Sequence, residues 1–232
     1  MVAQPPVPDG SAVRELPMFP LARTLFPGAS LTLHVFEPRY RELTRCCLEG
    51  DGLFGVVLIT RGAEVGADPN QGRSEVATLT RIVQAHPLAD GRWLLETAGV
   101  SRLRVRSWLP DNPYPRALVE PWTDPPAAPE VAMRERLDAV VATYDRLLAS
   151  LPVPPAGETA NRLRRNMLSG GPARAAFELC AAAPVGEFDR QRLLAAAGTV
   201  ERLDILAELL ADFAQTFRLI EDADDSGLPP LN

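Results

Sequence analysis

The chain has 232 residues and a formal net charge of −6, and all 24 of its basic side chains are arginine. Without lysine there is no Walker A phosphate loop, no Ser-Lys dyad and no Schiff-base amine, because a guanidinium stays protonated and serves as neither base nor amine nucleophile. The acidic excess lies in residues 122–232, with 11 Arg against 17 Asp+Glu, while 1–121 holds 13 of each; this balance argues against a uniformly basic nucleic-acid binder.

At 46% hydrophobic residues the chain can bury one large core or two small ones. Its apolar runs reach about five residues, against the ~20 that cross a membrane. The opening MVAQPPVPDG lacks the basic start and apolar centre of a signal peptide, so a cytoplasmic protein is expected. Cys46 and Cys47 are adjacent, and Cys180 lies in an alanine-rich helical pattern, so no disulfide framework is expected.

Residues 1–13 are polar and Pro-rich and read as a disordered arm. Prolines 17, 20 and 27 confine the next stretch to a sheet edge or to loops, and Leu31, Leu33 and Val35 alternate along a strand over 30–36. Glu37-Pro38 opens a helix carrying Tyr40, Leu43 and Cys47 on one face, ended by Gly50-Asp51-Gly52. FGVVLIT (54–60) reads as a buried strand, and the Gly-rich 61–75 as a long mobile loop. Segments 76–86, 92–99, 101–108 and 114–122 read as four short strands parted by turn residues, Gly99 among them, which suggests an antiparallel barrel or sandwich.

TDPPAAP (123–129) reads as a linker between a β-domain at 14–122 and a helical domain at 130–221. Helices are expected over 130–150, 157–168, 172–183, 187–196 and 199–221. In the last, Leu203, Leu206, Leu210, Phe213, Phe217 and Ile220 form an apolar seam with Thr199 as N-cap. The acidic 222–232 reads as a disordered tail.

The segments LPMFPLARTLFPG, LHVFEPRYREL, CLEGD and FGVVLI, followed by VATLTRIVQAHPLADGRWLLETAGVSRLRV and APVGEFDRQRLLAAAGTVERLDIL, resemble the N-terminal substrate-binding domain of Lon proteases, in particular bacterial proteins made of that domain alone. The resemblance spans about 16–220 and rests mostly on apolar residues, proline and glycine, which mark a fold rather than an activity. It implies an α+β protein: an N-terminal PUA-like β-barrel followed by a C-terminal helical bundle. It also implies non-catalytic binding of polypeptide segments or a protein partner, in a substrate-recognition or adaptor role, with no cofactor. In full-length Lon the last helix leads to an ATPase and a Ser-Lys peptidase. The absence of lysine, and an end about eleven residues beyond that helix, lead us to expect neither.

Arg102, Arg104 and Arg106 alternate with Leu103 and Val105, so a strand places three guanidiniums on one face. The row is a candidate site for phosphates or carboxylates, or an ordinary surface paired with Glu96 or Glu120, with Arg102 bracing a turn. Glu37, Arg39 and Tyr40 combine charge and an aromatic ring at a helix start; they form a recognition site, or a helix start with Tyr40 packed beneath the barrel and Glu37 at the dipole. His34, Glu37, Cys46 and Cys47 carry metal-ligand atoms without zinc-site spacing. Cys180 with His86 lacks any nucleophile motif.

The binding mode that the resemblance implies is an extended segment held in a groove between barrel and bundle, with 61–75 as an adjustable wall. The seam of the last helix packs on 130–150 or, if partly exposed, supports a homodimer. The alternatives are an RNA-binding PUA-like module using the arginine row, and a hydrolase with an unrecognised carboxylate pair.

Overall fold

The computed structural model describes residues 13–66, 68, 70–125, 130–150 and 171–225. Residues 1–12 of the expected arm over 1–13, residues 126–129 of the expected linker, the expected helix over 157–168 and residues 226–232 of the expected tail lie outside them. The chain divides into two compact units, Met1–Thr123 and Asp124–Asn232.

The first unit carries β1 (Arg14–Leu21), β2 (Ser30–Val35), α1 (Pro38–Glu49), β3 (Leu53–Arg61), β4 (Gly72–Pro87), β5 (Trp93–Leu109) and β6 (Arg116–Pro121). The strands form one mixed sheet in the order β2-β5-β4-β3-β1-β6, with a further pairing of β5 and β6. Only β1 and β3 run parallel among these pairs. Each long strand splits its partners. The first half of β5 faces β2 and its second half faces β6, while β4 runs along both.

The proline-rich start is a strand rather than loops, which corrects part of the sequence reading. β1 changes partner midway: Arg14–Pro17 pair with β6 and Met18–Leu21 with β3. Each half, with its one proline, is therefore laddered on a single side, so a residue without an N–H is tolerated within the sheet.

Gly99 does not end a strand as expected; β5 runs through it for 17 residues. The register slips there, with Leu79 opposite Ser101 and Thr80 opposite Gly99. On the other side Gly99 N–H donates to Ala29 O and its carbonyl accepts from Gly28 N–H, both at 2.9 Å. A Cβ at this position would collide with the Phe26 carbonyl oxygen. The glycine thus marks a bulge and a close backbone approach. The expected loop over 61–75 is likewise shorter, since pairing of Arg61 with Gly72 leaves only 62–71 between the strands.

Among the described residues of this unit, two apolar clusters result. One, built from residues such as Leu16, Met18, Val57, Leu79, Leu103 and Val119, is formed by the strands alone. In the other, Tyr40, Leu43 and Cys47 of α1 pack on Phe19, Leu33 and Phe54, as the helical spacing of those three residues requires.

The second unit is helical: α2 (Glu130–Ser150), α3 over 171–182, α4 (Glu187–Ala195) and α5 (Thr199–Asp225). Leu203, Leu206 and Leu210 of the seam are completely buried, and α5 packs against α2 and α4. Thr199 is not the N-cap. Its hydroxyl bonds the Asp124 carboxylate at 2.8 Å, Gly198 O accepts the first helical bond from Arg202 N–H, and Glu201 reaches back to Ala197 N–H at 2.6 Å. α5 also runs to Asp225, past the expected end at 221, because the sequence holds no helix breaker before Gly227.

Candidate functional site

The alternation of SLTLHV sends Leu31, Leu33 and Val35 into the core and leaves Ser30, Thr32 and His34 exposed. β2 is the end strand of the sheet order, so among the described residues one side of its backbone is not laddered. Beside it lies a groove of about 340 Å³, within the ~300–1,000 Å³ typical of ligand clefts. Its floor is Phe19, Leu31, Leu33, Val35 and Tyr40, all buried, and its rim includes the exposed Phe36 and Val65.

Glu64 and Val65, from the loop between β3 and β4, line the groove as well, and three anchors hold that part of the loop. Ala22 N–H donates to the Glu64 carboxylate at 2.9 Å, Gly66 N–H donates to Glu37 Oε2 at 3.3 Å, and an Arg39 guanidinium nitrogen donates to Gly66 O at 2.5 Å. Gly66 sits at φ +93°, the left-handed region that only glycine occupies without strain. Arg39 Nε also bonds Glu37 Oε2 at 3.1 Å. Glu37 stands at the N-cap position of α1 but makes no side-chain cap bond; its carboxylate holds the loop instead of the helix end.

Tyr40 stacks on Phe19, with centroids 4.2 Å apart and planes 18° apart, and lies under the Arg39 guanidinium at 4.4 Å. Burial pushes its phenol up to about 12, against the opposing pull of Arg39. Its hydroxyl is buried with no hydrogen-bond partner among the described residues. Glu37, Arg39 and Tyr40 are thus brought together: Glu37 and Tyr40 line the groove, and Arg39 bonds Glu37 and covers the Tyr40 ring.

The arginine row is not brought into that site, and its three members meet different surroundings. Arg102 is only 2% exposed and lies 4.1 Å from the Trp122 ring, whose backbone N–H donates to Arg102 O. Arg104 stacks on the same indole at 4.4 Å. Arg106 falls on a register slip between Val105 and Ser107 and pairs with Glu120 at 2.7 Å. The three do not present one uniform cationic face, because Trp122 and Glu120 engage them.

Among the described residues no group of three or more His, Cys, Asp or Glu side chains could hold a metal ion. Cys47 is buried, donates to Leu53 O at 3.4 Å, and has its thiol pushed up to about 12 by burial. A protonated thiol is a poor ligand and a poor nucleophile. The same holds for Cys180, raised to about 12 by burial within the second unit, whereas Cys46 and His86 are exposed.

Sequence reasoning missed Phe36, and it took 61–75 as a wall without singling out Glu64 and Val65. Phe36 carried a signal: it continues the Thr32, His34 parity, so an aromatic side chain falls on the solvent side of an alternating strand. Glu64 and Val65 had none, since a loop's contacts follow from the fold around it.

A family model described as the ATP-dependent protease La (LON) substrate-binding domain matches residues 15–212. Among known structures, the crystal structure of a Lon N-terminal domain protein from Xanthomonas campestris is 28% identical with a TM-score of 0.57, covering 85% of this chain and 98% of that one. The N-terminal domain of a Mycobacterium avium complex Lon protease shares the fold at 18% identity and a TM-score of 0.61, covering 86% and 99%. A LON peptidase N-terminal domain and RING finger protein of Schizosaccharomyces pombe is 31% identical over 121 residues, 48% of this chain and 25% of that protein. Lon protease 2 of Sorangium cellulosum is 29% identical over 117 residues, 50% of this chain and 14% of that protein. The chain therefore spans a quarter or less of these two relatives.

Proposed function

Because the chain belongs to the LON substrate-binding domain family, we propose that it recognises polypeptide segments without catalysing their cleavage, as a substrate-recognition or adaptor protein of the cytoplasm. The observation that carries this reading is the groove of about 340 Å³, with its buried apolar floor and its exposed Phe36 and Val65. Single apolar side chains on a surface need no explanation, whereas a cleft rimmed by them marks an interaction site. The cycle of pairings β1–β3–β4–β5–β6–β1 supports a PUA-like barrel in the first unit. The packing of α5 on α2 and α4 supports a helical bundle in the second.

Non-catalytic binding also suits the chemistry of the chain. With no lysine in the sequence and two of the three thiols held protonated by burial, neither a Lon-type active site nor a cysteine nucleophile on Cys47 or Cys180 is available. No helix among the described residues is long and apolar enough to cross a membrane.

The test is fluorescence anisotropy with a permanently unfolded polypeptide, reduced and carboxymethylated lactalbumin. Saturable binding at micromolar concentration is expected, weakened by Phe36→Ser with Val65→Ser, which removes apolar rim without touching the core. Absence of binding up to high micromolar protein would refute the reading.

A further inference from the structure

We infer that the outer edge of β2 takes its ligand by strand addition, accepting an extended polypeptide segment as a further strand of the sheet. The inference rests on the peptide-binding reading above and specifies how it is achieved.

The hydrogen-bonding phase of β2 is fixed at its start. Gly99 N–H donates to Ala29 O, and Gly28 N–H donates to Gly99 O. In an antiparallel pair, bonded and non-bonded positions alternate. With Ser30 opposite Ala98 and the register unbroken to Val35 opposite Trp93, Leu31, Leu33 and Val35 turn their backbone groups toward β5. Ser30, Thr32 and His34 turn theirs away. Leu88 N–H donating to Arg92 O agrees with this phase from the far side of β5, since it sends the backbone groups of Leu94 and Glu96 toward β4 and leaves those of Trp93, Leu95 and Thr97 toward β2. Among the described residues no strand pairs with that outer side.

The groove lies along this edge rather than over a face. Residues 31 to 37 all line it without interruption. A cavity above a sheet face meets every second residue, whereas one running along the rim meets both parities, because backbone and side chains alike border it. The outward N–H and C=O groups of Thr32 and His34 therefore face the space that an added strand, ~4.8 Å away, fills.

The strand itself also carries none of the residues that blunt an edge. Exposed edges are commonly blunted by proline, charged side chains or bulges. SLTLHV holds no proline, lysine, arginine or carboxylate, and its pairing with β5 runs from Ser30 to Val35 without a register shift. β1, in contrast, carries prolines 17 and 20 where its own halves are laddered on one side only.

These features select the occupant. A helix, ~10 Å across with its backbone bonds internally satisfied, neither fits about 340 Å³ nor pairs the outward groups. An extended segment of about five residues pairs them at the two-residue repeat. Its alternate side chains fall on the same side as Leu31, Leu33 and Val35, over Phe19 and Tyr40. Apolar side chains at every second position are therefore preferred.

The experiment uses the full chain and a labelled pentapeptide core of alternating valine and serine, flanked by charged residues for solubility, with unfolded lactalbumin as the reference ligand. N-methyl groups are placed singly along the peptide. Methylation of alternate residues should weaken binding about tenfold and methylation of the others little, because only one parity donates to β2. On the protein, Thr32→Pro removes an outward donor while leaving the β5 ladder, and should weaken the peptide about tenfold. In hydrogen exchange of the wild type, the Thr32 and His34 amides should gain protection when peptide is added. Binding insensitive to methylation parity, with unchanged exchange at those two amides, overturns strand addition while leaving peptide recognition intact. Absence of lactalbumin and peptide binding overturns both. A concentration-dependent dimer that Thr32→Pro abolishes, with no peptide binding, overturns it in favour of pairing between two copies. Should Thr32→Pro fail to fold, the methylation series and the exchange measurement decide.

Discussion

Arg202 and Asp124 form a bidentate pair across 78 positions of sequence, at 3.1 and 3.3 Å. Arg202 is completely buried, donates through Nε to Leu193 O at 3.1 Å, and lies 3.8 Å from the Phe177 ring. Asp124 also accepts from the Thr199 hydroxyl. One carboxylate thus ties the entry of the helical unit to the first turn of α5 and, through Arg202, to the end of α4.

Asp124→Ala should destabilise this unit by about 3–5 kcal/mol, the usual cost of leaving a buried charge without its partner. Arg202→Met with Asp124→Leu should recover much of that loss, since a buried ion pair breaks roughly even against apolar groups of similar volume. Urea unfolding of the three proteins checks it. A loss below about 1 kcal/mol for Asp124→Ala would mean that the pair behaves as a surface contact.

Gly99→Ala tests the bulge on β5. The added methyl meets the Phe26 carbonyl oxygen, a backbone atom that moves only with the 26–29 turn. A loss of about 1–3 kcal/mol is expected, as for overpacking at other tight sites. Because Gly99 also anchors the start of β2, chemical shifts should change along 28–32 more than in β6. An unperturbed midpoint would show that the close approach is relaxed in solution.

The same glycine shows where the sequence was legible and where it was not. Local rules identified β2 from Leu31, Leu33 and Val35, α1 from Pro38 and its helical spacing, and the core role of Leu203, Leu206 and Leu210, because each depends on a periodicity contained in the segment. Gly99 was read as a turn because glycine is the residue of turns and bulges alike, and only its neighbours in space, Phe26 and Ala29, separate the two. Prolines 17 and 20 excluded a central ladder correctly but could not reveal a strand that changes partners between them. At the groove, Glu37, Arg39 and Tyr40 were visible as a cluster. Their partner Gly66 was not, since a contact across 27 or 29 residues leaves no local trace. The arginine row suggested a cationic face because strand alternation places side chains without saying what covers them; Trp122, just beyond the end of β6, lies against two of the three.

Glu37→Ala should loosen the groove wall without unfolding the chain. The change frees Gly66 N–H and removes the carboxylate partner of Arg39, both at partly exposed sites. Global stability should fall by about 1 kcal/mol or less. Hydrogen exchange should accelerate at residues 64 to 66 in particular, and binding of unfolded lactalbumin should weaken with it. Unchanged exchange in the loop would show that the Ala22–Glu64 bond alone holds it.

The three thiols give a prediction in which pH has a definite sign. Cys46 is exposed, while Cys47 and Cys180 are buried with their thiols raised to about 12 from an ordinary value near 9. Iodoacetamide at pH 8 should therefore alkylate Cys46 alone in the folded protein and all three thiols in urea, read by peptide mass mapping. Raised values mean that folding favours the protonated form, so the contribution of these groups to stability is complete below about pH 9. It is lost progressively as pH rises towards 12, where the folded thiols also ionise. Tyr40, raised to about 12 from 10, adds to the same loss from about pH 10 upward. Urea midpoints should thus be flat in this respect between pH 7 and 8.5 and fall above pH 9, less steeply in the variant Cys47→Ala. Alkylation of Cys47 at the rate of Cys46 under native conditions would show that α1 opens readily from the sheet, and would overturn the assignment of both effects to burial.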